Sequence, residues 1–128
     1  MKEAIQTLNA PQPGGPYSQG VKTESFIFVS GQDGVKANGE SVGASIAAQT
    51  TAALENINNI LAAKDADLSS LVYVTCHLTD LNDETVREFN KAYEDYFHDV
   101  DVKPARITVG SQLLETDVEI TAIAAVER

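Results

Sequence analysis

Two charged residues stand where a strand would otherwise be apolar. Arg106 lies inside Ala105-Arg106-Ile107-Thr108-Val109, and Glu119 lies near the head of Val118-Glu119-Ile120-Thr121-Ala122-Ile123-Ala124-Ala125-Val126. A guanidinium presents a planar fork that grips a carboxylate through two hydrogen bonds, a geometry an ammonium lacks. A carboxylate kept in apolar company binds its proton more tightly than a free one and can act as a base near neutrality. Glu119 alternates with Thr121, Ile123 and Ala125, which implies partial burial. Arg106 also has a plainer reading, an ion pair with one of the 19 acidic residues, and both readings stay open on spacing alone. A hairpin joining the two segments would bring Arg106 and Glu119 to one cavity.

Other reactive side chains offer less. Cys76 and His77 look like a nucleophile and its base, but adjacent residues on a strand point to opposite faces. Cys76 shares a face with Val72, Val74 and Leu78 and reads as a small core hydrophobe. His77 and His98 are the only histidines, and no ligand spacing joins them, so no metal site is expected. His98 should sit near the exposed end of a helix. A single cysteine excludes an intramolecular disulfide and fits a reducing compartment.

The chain carries a formal charge of −10, with 19 acidic residues against 9 basic ones. That field repels phosphate backbones, and no stretch collects Lys and Arg into a stripe, so nucleic acid is not an expected partner. The field also repels small anions, so a carboxylate ligand would need a buried cation to attract it locally. That singles out the three arginines, Arg87, Arg106 and Arg128. No apolar run approaches the ~20 residues that span a bilayer, and Met1–Ile5 does not resemble a secretory signal. The expectation is a soluble, cytoplasmic protein with no membrane partner.

These residues need elements to hold them. At 128 residues the chain suits one domain, 1–128. Asn9-Ala10-Pro11-Gln12-Pro13-Gly14-Gly15-Pro16 must be a loop, because proline removes donors and restricts its predecessor. Phe26-Ile27-Phe28-Val29 predicts a strand that stops at Ser30-Gly31-Gln32, and Asp33-Gly34 and Asn38-Gly39 read as turns. Ile46, Thr50, Ala53, Leu54, Ile57, Ile60 and Leu61 recur at helical spacing behind a Ser45 cap, with an end near Lys64. Residues 71–78 predict a strand. Asn82-Asp83-Glu84 starts a second helix, whose apolar stripe is Val86, Phe89, Tyr93, Tyr96 and Phe97. Pro104 stops it, and strands 105–109 and 118–126 follow.

The order of strands, helix, strand, helix and strands predicts an α+β fold, a mixed sheet with two helices packed on it. Phe26–Val29 and Ala122–Val126 are apolar at successive positions, so both of their faces seek burial. Two helices cover one face only. The other would leave an apolar patch in water unless a second subunit covered it, so the pattern predicts an oligomer.

Seven segments, taken together and in order, resemble the RidA family, also called the YjgF family. They are Asn9-Ala10-Pro11; Gly15-Pro16-Tyr17-Ser18-Gln19-Gly20; Val29-Ser30-Gly31-Gln32; Asp80-Leu81-Asn82-Asp83; Asn90-Lys91-Ala92-Tyr93; Pro104-Ala105-Arg106; and Val118 to Ala124. The resemblance implies a chorismate-mutase-like fold and a homotrimer with a site at each subunit interface. It implies that Arg106 binds a substrate carboxylate and that Glu119 holds or activates water. Tyr17 would line the pocket, backbone groups near Gly31 would touch substrate with Ser30 beside them, and Asn90 would support the site. Tyr17 has an equal alternative as a pin for its own loop, and for Ser30 and Asn90 the structural role leads. Many relatives carry Cys where this chain has Thr108, the loop between Arg106 and Glu119 is shorter here, and extra residues precede Asn90. All three departures border the pocket.

The implied activity is cofactor-free hydrolysis of small 2-imino acids, 2-iminobutanoate and 2-iminopropanoate, to 2-keto acids and ammonia. The alternative is a trimer that binds a 2-keto acid without turning it over. A ribonuclease role, attributed to some relatives, conflicts with the −10 charge.

Overall fold

The computed structural model describes residues 1–126, so Arg128 lies outside the described residues. Six strands form one sheet: β1 (Glu3–Ile5), β2 (Gly20–Lys22), β3 (Phe26–Asp33), β4 (Leu71–Leu78), β5 (Ala105–Gly110) and β6 (Val118–Ala125). Their order in space is β1-β2-β3-β6-β4-β5, with only the β4–β5 pair parallel. Two helices, α1 (Ile46–Ala62) and α2 (Asp83–Tyr96), complete a mixed-sheet α+β fold. The class and both helices agree with the sequence pattern.

The helices begin where their side chains satisfy the first free N–H groups. Ser45 Oγ accepts from Ala48 N at 3.1 Å. Asn82 and Thr85 form a reciprocal capping box ahead of α2, and Asp83 and Glu84 complement the positive end of its dipole. The apolar stripes then meet the sheet. Leu54, Ile57, Ile60 and Leu61 from α1 and Phe89, Tyr93 and Phe97 from α2 pack with Ile27, Val29, Val74, Cys76, Ile120 and Ala122 in one core.

The strands alternate as their sequences demand. Val118, Ile120, Ala122 and Ala124 are buried under the helices, while Glu119, Thr121, Ile123 and Ala125 face the other way. On that open face Phe28, Ile123 and Tyr73 are cross-strand neighbours. Phe26 and Phe28 remain 42% and 45% exposed, and Val72, Tyr73 and Ile107 are also exposed. The apolar surface foreseen on the second face is therefore present in the single chain.

Three expectations need correction. β3 does not stop at Ser30-Gly31-Gln32. It absorbs one extra residue there, since Val29 pairs with Ala122 but Gln32 pairs with Ile120, and it continues to Asp33 past this bulge. Val72 does not share the buried face with Cys76, because the register of β4 against β6 shifts between Leu71 and Tyr73 and turns Val72 outward. The segments around Arg106 and Glu119 are not the two arms of a hairpin. β4 lies between β5 and β6, so a parallel pairing replaces the direct contact that a hairpin would give. The short strands β1 and β2 carry too few residues to have shown a period.

Candidate functional site

Arg106 sits on the edge strand β5 in register with Val74, whose side chain points into the core, so Arg106 extends along the helix-covered face. Its guanidinium lies over the Tyr93 ring at 4.8 Å from the centroid and near the Phe89 ring at 5.4 Å. Nη2 donates to Asn90 Oδ1 at 2.7 Å. Such stacking contributes about 0.5–1 kcal/mol at an exposed site and, more usefully, fixes the plane of the fork. Among the described residues no carboxylate forms an ion pair with Arg106, so the structural ion-pair reading finds no partner here. The group is exposed in the single chain, not buried. It borders a cavity of about 500 Å³ lined also by Asn90, Tyr93, Glu94, His98 and Lys103.

Thr108, two residues on, faces the same way and pairs with Cys76. Its hydroxyl and that of Tyr93 are buried without a hydrogen-bond partner. Burial pushes the Cys76 thiol up to about 12, which makes it a poor nucleophile and agrees with its core role. His98 lies beyond the end of α2 and is exposed, as expected. Larger hollows run along the outer sides of the helices. In one of them Arg87 and Lys91 share the lining with Glu84, Glu88 and Asp95, and Lys91 pairs with Asp95 at 3.0 Å.

Glu119 occupies the opposite face. In β6 it stands between Asp33 of β3 and His77 of β4, both directly opposite it in register. The bulge brings Gly31 under its carboxylate: a Cβ on Gly31 would come within 2.5 Å of Glu119 Oε2, so only glycine leaves room. Partial burial holds the Glu119 carboxyl above the usual carboxylate range. Asp33 pushes it further up, and His77 opposes the rise. Asp33 is raised as well, chiefly by burial. His77 Nδ1 shares a 2.8 Å hydrogen bond with Ser111 Oγ.

The segment leading into Glu119 is clamped from below. Gln49, buried on α1, accepts at Oε1 from Thr116 Oγ1, Asp117 N and Val118 N at 2.9–3.2 Å, and its Nε2 donates to Gly43 O at 2.9 Å. Its side chain fills the space over Gly34 that a Cβ would need. Gln49 has no role in the sequence pattern as read above, although a buried amide on a helix's apolar side is a detectable sign of such a clamp.

Ser30 and Tyr17 serve the N-terminal loop. Ser30 Oγ donates to Ser18 O at 2.6 Å and its N–H to Gln19 O at 3.0 Å. Tyr17 is exposed, and its hydroxyl accepts from Gly14 N at 3.3 Å, the loop-pinning role that was its alternative reading. Gln19, buried, ties the same loop through Thr7, Ala10 and Pro11. Of the residues expected at a site, the single chain therefore groups Arg106, Asn90 and Thr108 on one face of the sheet. It groups Glu119 and Gly31 on the other, with Ser30 beside Gly31 in β3 and Tyr17 in the N-terminal loop.

Comparison with known proteins places the chain among relatives. A family model described as endoribonuclease L-PSP matches residues 7–126. A RutC family protein of Pyrococcus horikoshii is 44% identical over 127 residues, covering 97% of this chain and 98% of its own. The chloroplastic Reactive Intermediate Deaminase A of Arabidopsis thaliana is 39% identical over 126 residues, 96% of this chain and 65% of that protein. The solved structure of E. coli TdcF with bound serine superposes with a TM-score of 0.90 at 32% identity, covering 98% and 99% of the two chains.

Proposed function

We propose, on the premise that the chain belongs to the RidA (YjgF, RutC) family, that it hydrolyses small reactive 2-imino acids such as 2-iminobutanoate and 2-iminopropanoate to 2-keto acids and ammonia. The observation that carries this reading is Arg106: a guanidinium fixed by two rings and Asn90, with no carboxylate partner among the described residues, beside an open cavity. In a chain of charge −10 it is the local cation that a small carboxylate requires. The serine bound to TdcF, itself a small amino acid with a carboxylate, supports the same ligand class.

Arg106 and Glu119 lie on opposite faces of one sheet, so a site that uses both joins two subunits. The exposed Phe26, Phe28, Tyr73 and Ile107 give the open face a reason to be covered. In the homotrimer that the family resemblance implies, Arg106 of one subunit faces Glu119 of its neighbour. Arg106 then holds the carboxylate, and Glu119 takes a proton from water as the oxygen adds to the imine carbon. Glu119 returns the proton to nitrogen, the carbinolamine expels ammonia as the C=O bond forms, and the hydroxyl proton passes through solvent to the ammonia, which leaves as ammonium. A protonated imine is already electrophilic, so the protein need supply only orientation, water and a base; the base contributes ~100- to 10,000-fold. The Glu119 carboxyl, held above its ordinary range, suits that task.

The alternative, 2-keto acid binding without chemistry, draws support from the Arg106 cavity lying on the opposite face of the sheet from Glu119. A coupled assay separates the two. A dehydratase generates the imine, and keto-acid release is timed with and without catalytic amounts of this protein. Acceleration with no added cofactor is expected; unchanged release with folded, ligand-binding protein overturns the enzymatic reading.

A further inference from the structure

Asp33, Glu119, His77 and Val109 form one row across β3, β6, β4 and β5 on the open face. The row places a second carboxylate on one side of Glu119 and an imidazole on the other. Cross-strand neighbours on the same face have Cβ atoms about 4.5–5.5 Å apart, well within electrostatic reach. The imidazole does not hang free: its Nδ1 is hydrogen-bonded to Ser111 Oγ at 2.8 Å, just past the end of β5. That bond fixes the ring at Nδ1, and among the described residues Nε2 has no hydrogen bond. Gly31 closes a third side, with its backbone against the Glu119 carboxylate. Glu119 is thus boxed by one anion, one imidazole and one peptide, and each of the three comes from a different place in the chain.

We propose that Asp33 and His77 are opposed positioning residues for Glu119, the first supplying negative and the second positive charge to it, with Ser111 holding His77 to that task. This rests on Glu119 being the water-activating group and adds what governs its charge. Among the described residues, β3 sets Asp33 and β4 sets His77 directly beside Glu119, β5 sets Val109 beyond His77, and β6 itself has Thr121 as the next residue on that face. The direction of influence follows from sign. Asp33 beside Glu119 favours the protonated form, and a protonated His77 favours the ionised form. A neighbouring subunit's Arg106 would act equally in every variant compared below and so cancels.

The consequence is a base whose working range is set by two neighbours pulling in opposite directions. Removing Asp33 lets Glu119 ionise at lower pH, so the acidic limb of the kcat profile moves down. Removing His77 makes ionisation harder, so the limb moves up. A displacement of one pH unit is tenfold in rate on that limb, about the scale expected for a charge at this distance. A merely structural role for either residue would lower stability or rate without sorting the two variants to opposite sides.

The test follows the Glu119 carboxyl itself by carbon-13 NMR, with labelled glutamate and Glu119→Gln as the assignment control. The assembled wild type is compared with Asp33→Asn and His77→Gln. The expected result is a midpoint that falls in Asp33→Asn and rises in His77→Gln. Midpoints that stay put, or that move the same way, overturn the proposal. Should His77→Gln not fold, Ser111→Ala carries that arm: it frees the ring without deleting it, and a smaller rise is expected, with no change counting against. The kcat profile is recorded on the same proteins. Opposite NMR shifts that turnover ignores would leave this pairing standing and sink Glu119 as the base. A turnover limb that tracks Glu119 while the midpoints stay unmoved by either neighbour would do the reverse.

Discussion

The two faces of the sheet differ in how they prepare a charged group. On the helix side Arg106 stands at an edge strand, stacked on Tyr93 and Phe89 and steadied by Asn90, with a cavity beside it and no ion-pair partner among the described residues. On the open side Glu119 stands on a central strand, hemmed by Asp33, His77 and Gly31, with its proton held tightly by burial. One face offers a held guanidinium beside a cavity, the other a carboxyl raised by its surroundings. The difference teaches that the proposed hydrolysis would draw on two half-sites of each subunit, which makes it a property of an assembly.

The sharpest way to break this comparison is to remove one half and watch what the other keeps. Glu119→Gln preserves shape and much of the hydrogen bonding but removes basicity. Turnover should fall ~100- to 10,000-fold while affinity for 2-ketobutyrate, measured by calorimetry, stays within a few-fold. Normal turnover would remove Glu119 from the mechanism. Arg106→Ala should do the converse. It loses a charge-assisted fork worth about 1.5–3 kcal/mol per bond, so kcat/KM should drop at least ~10- to 100-fold and keto-acid binding should weaken in parallel.

A smaller effect belongs to Gly31→Ala. Its new Cβ would press on Glu119 Oε2 and tilt the carboxylate, so kcat should fall by about tenfold with KM little changed. An equal loss in KM would mean that Gly31 contacts substrate and does not simply make room for Glu119.

The comparison also has a thermodynamic side. Glu119 has its carboxyl raised in the folded state, so once ionised it weakens the fold relative to an ordinary carboxylate. That cost is present above its raised range and vanishes as pH falls below the unfolded carboxylate range. Glu119→Gln should therefore melt at or slightly above the wild-type temperature near neutrality, with the advantage shrinking in acid. Calorimetric melts across pH check the sign, and a variant that is less stable at neutral pH would show that the carboxylate serves the fold.

Much of this arrangement could be read before the structure. Alternation along 118–126 marked which residues face away from the helices, and the doubly apolar Phe26–Val29 announced a face that one chain leaves uncovered. Arg106 and Glu119 stood out because charges are costly in strands of that composition. Their separation could not be read, because strand order is a long-range property. A parallel β4–β5 pairing and the intrusion of β4 beside β6 leave no trace in local spacing. The bulge at Ser30–Gly31 was misread as a strand end for a related reason: a glycine that makes room for a distant side chain looks, in one dimension, like a glycine that stops a strand. In the sequence His77 invites pairing with Cys76 or His98, whereas its true neighbours, Glu119 and Ser111, lie 42 and 34 positions away.

The central claim is that a working site takes Arg106 from one subunit and Glu119 from another. It is tested most directly by mixing Arg106→Ala protein with Glu119→Gln protein, each nearly inactive alone, under conditions that let subunits exchange. Random reassembly would pair an intact Arg106 with an intact Glu119 at about a quarter of the sites, so the mixture should recover about a quarter of the wild-type rate. A mixture that exchanges subunits, as native mass spectrometry can verify, yet stays as inactive as its parents would contradict the account.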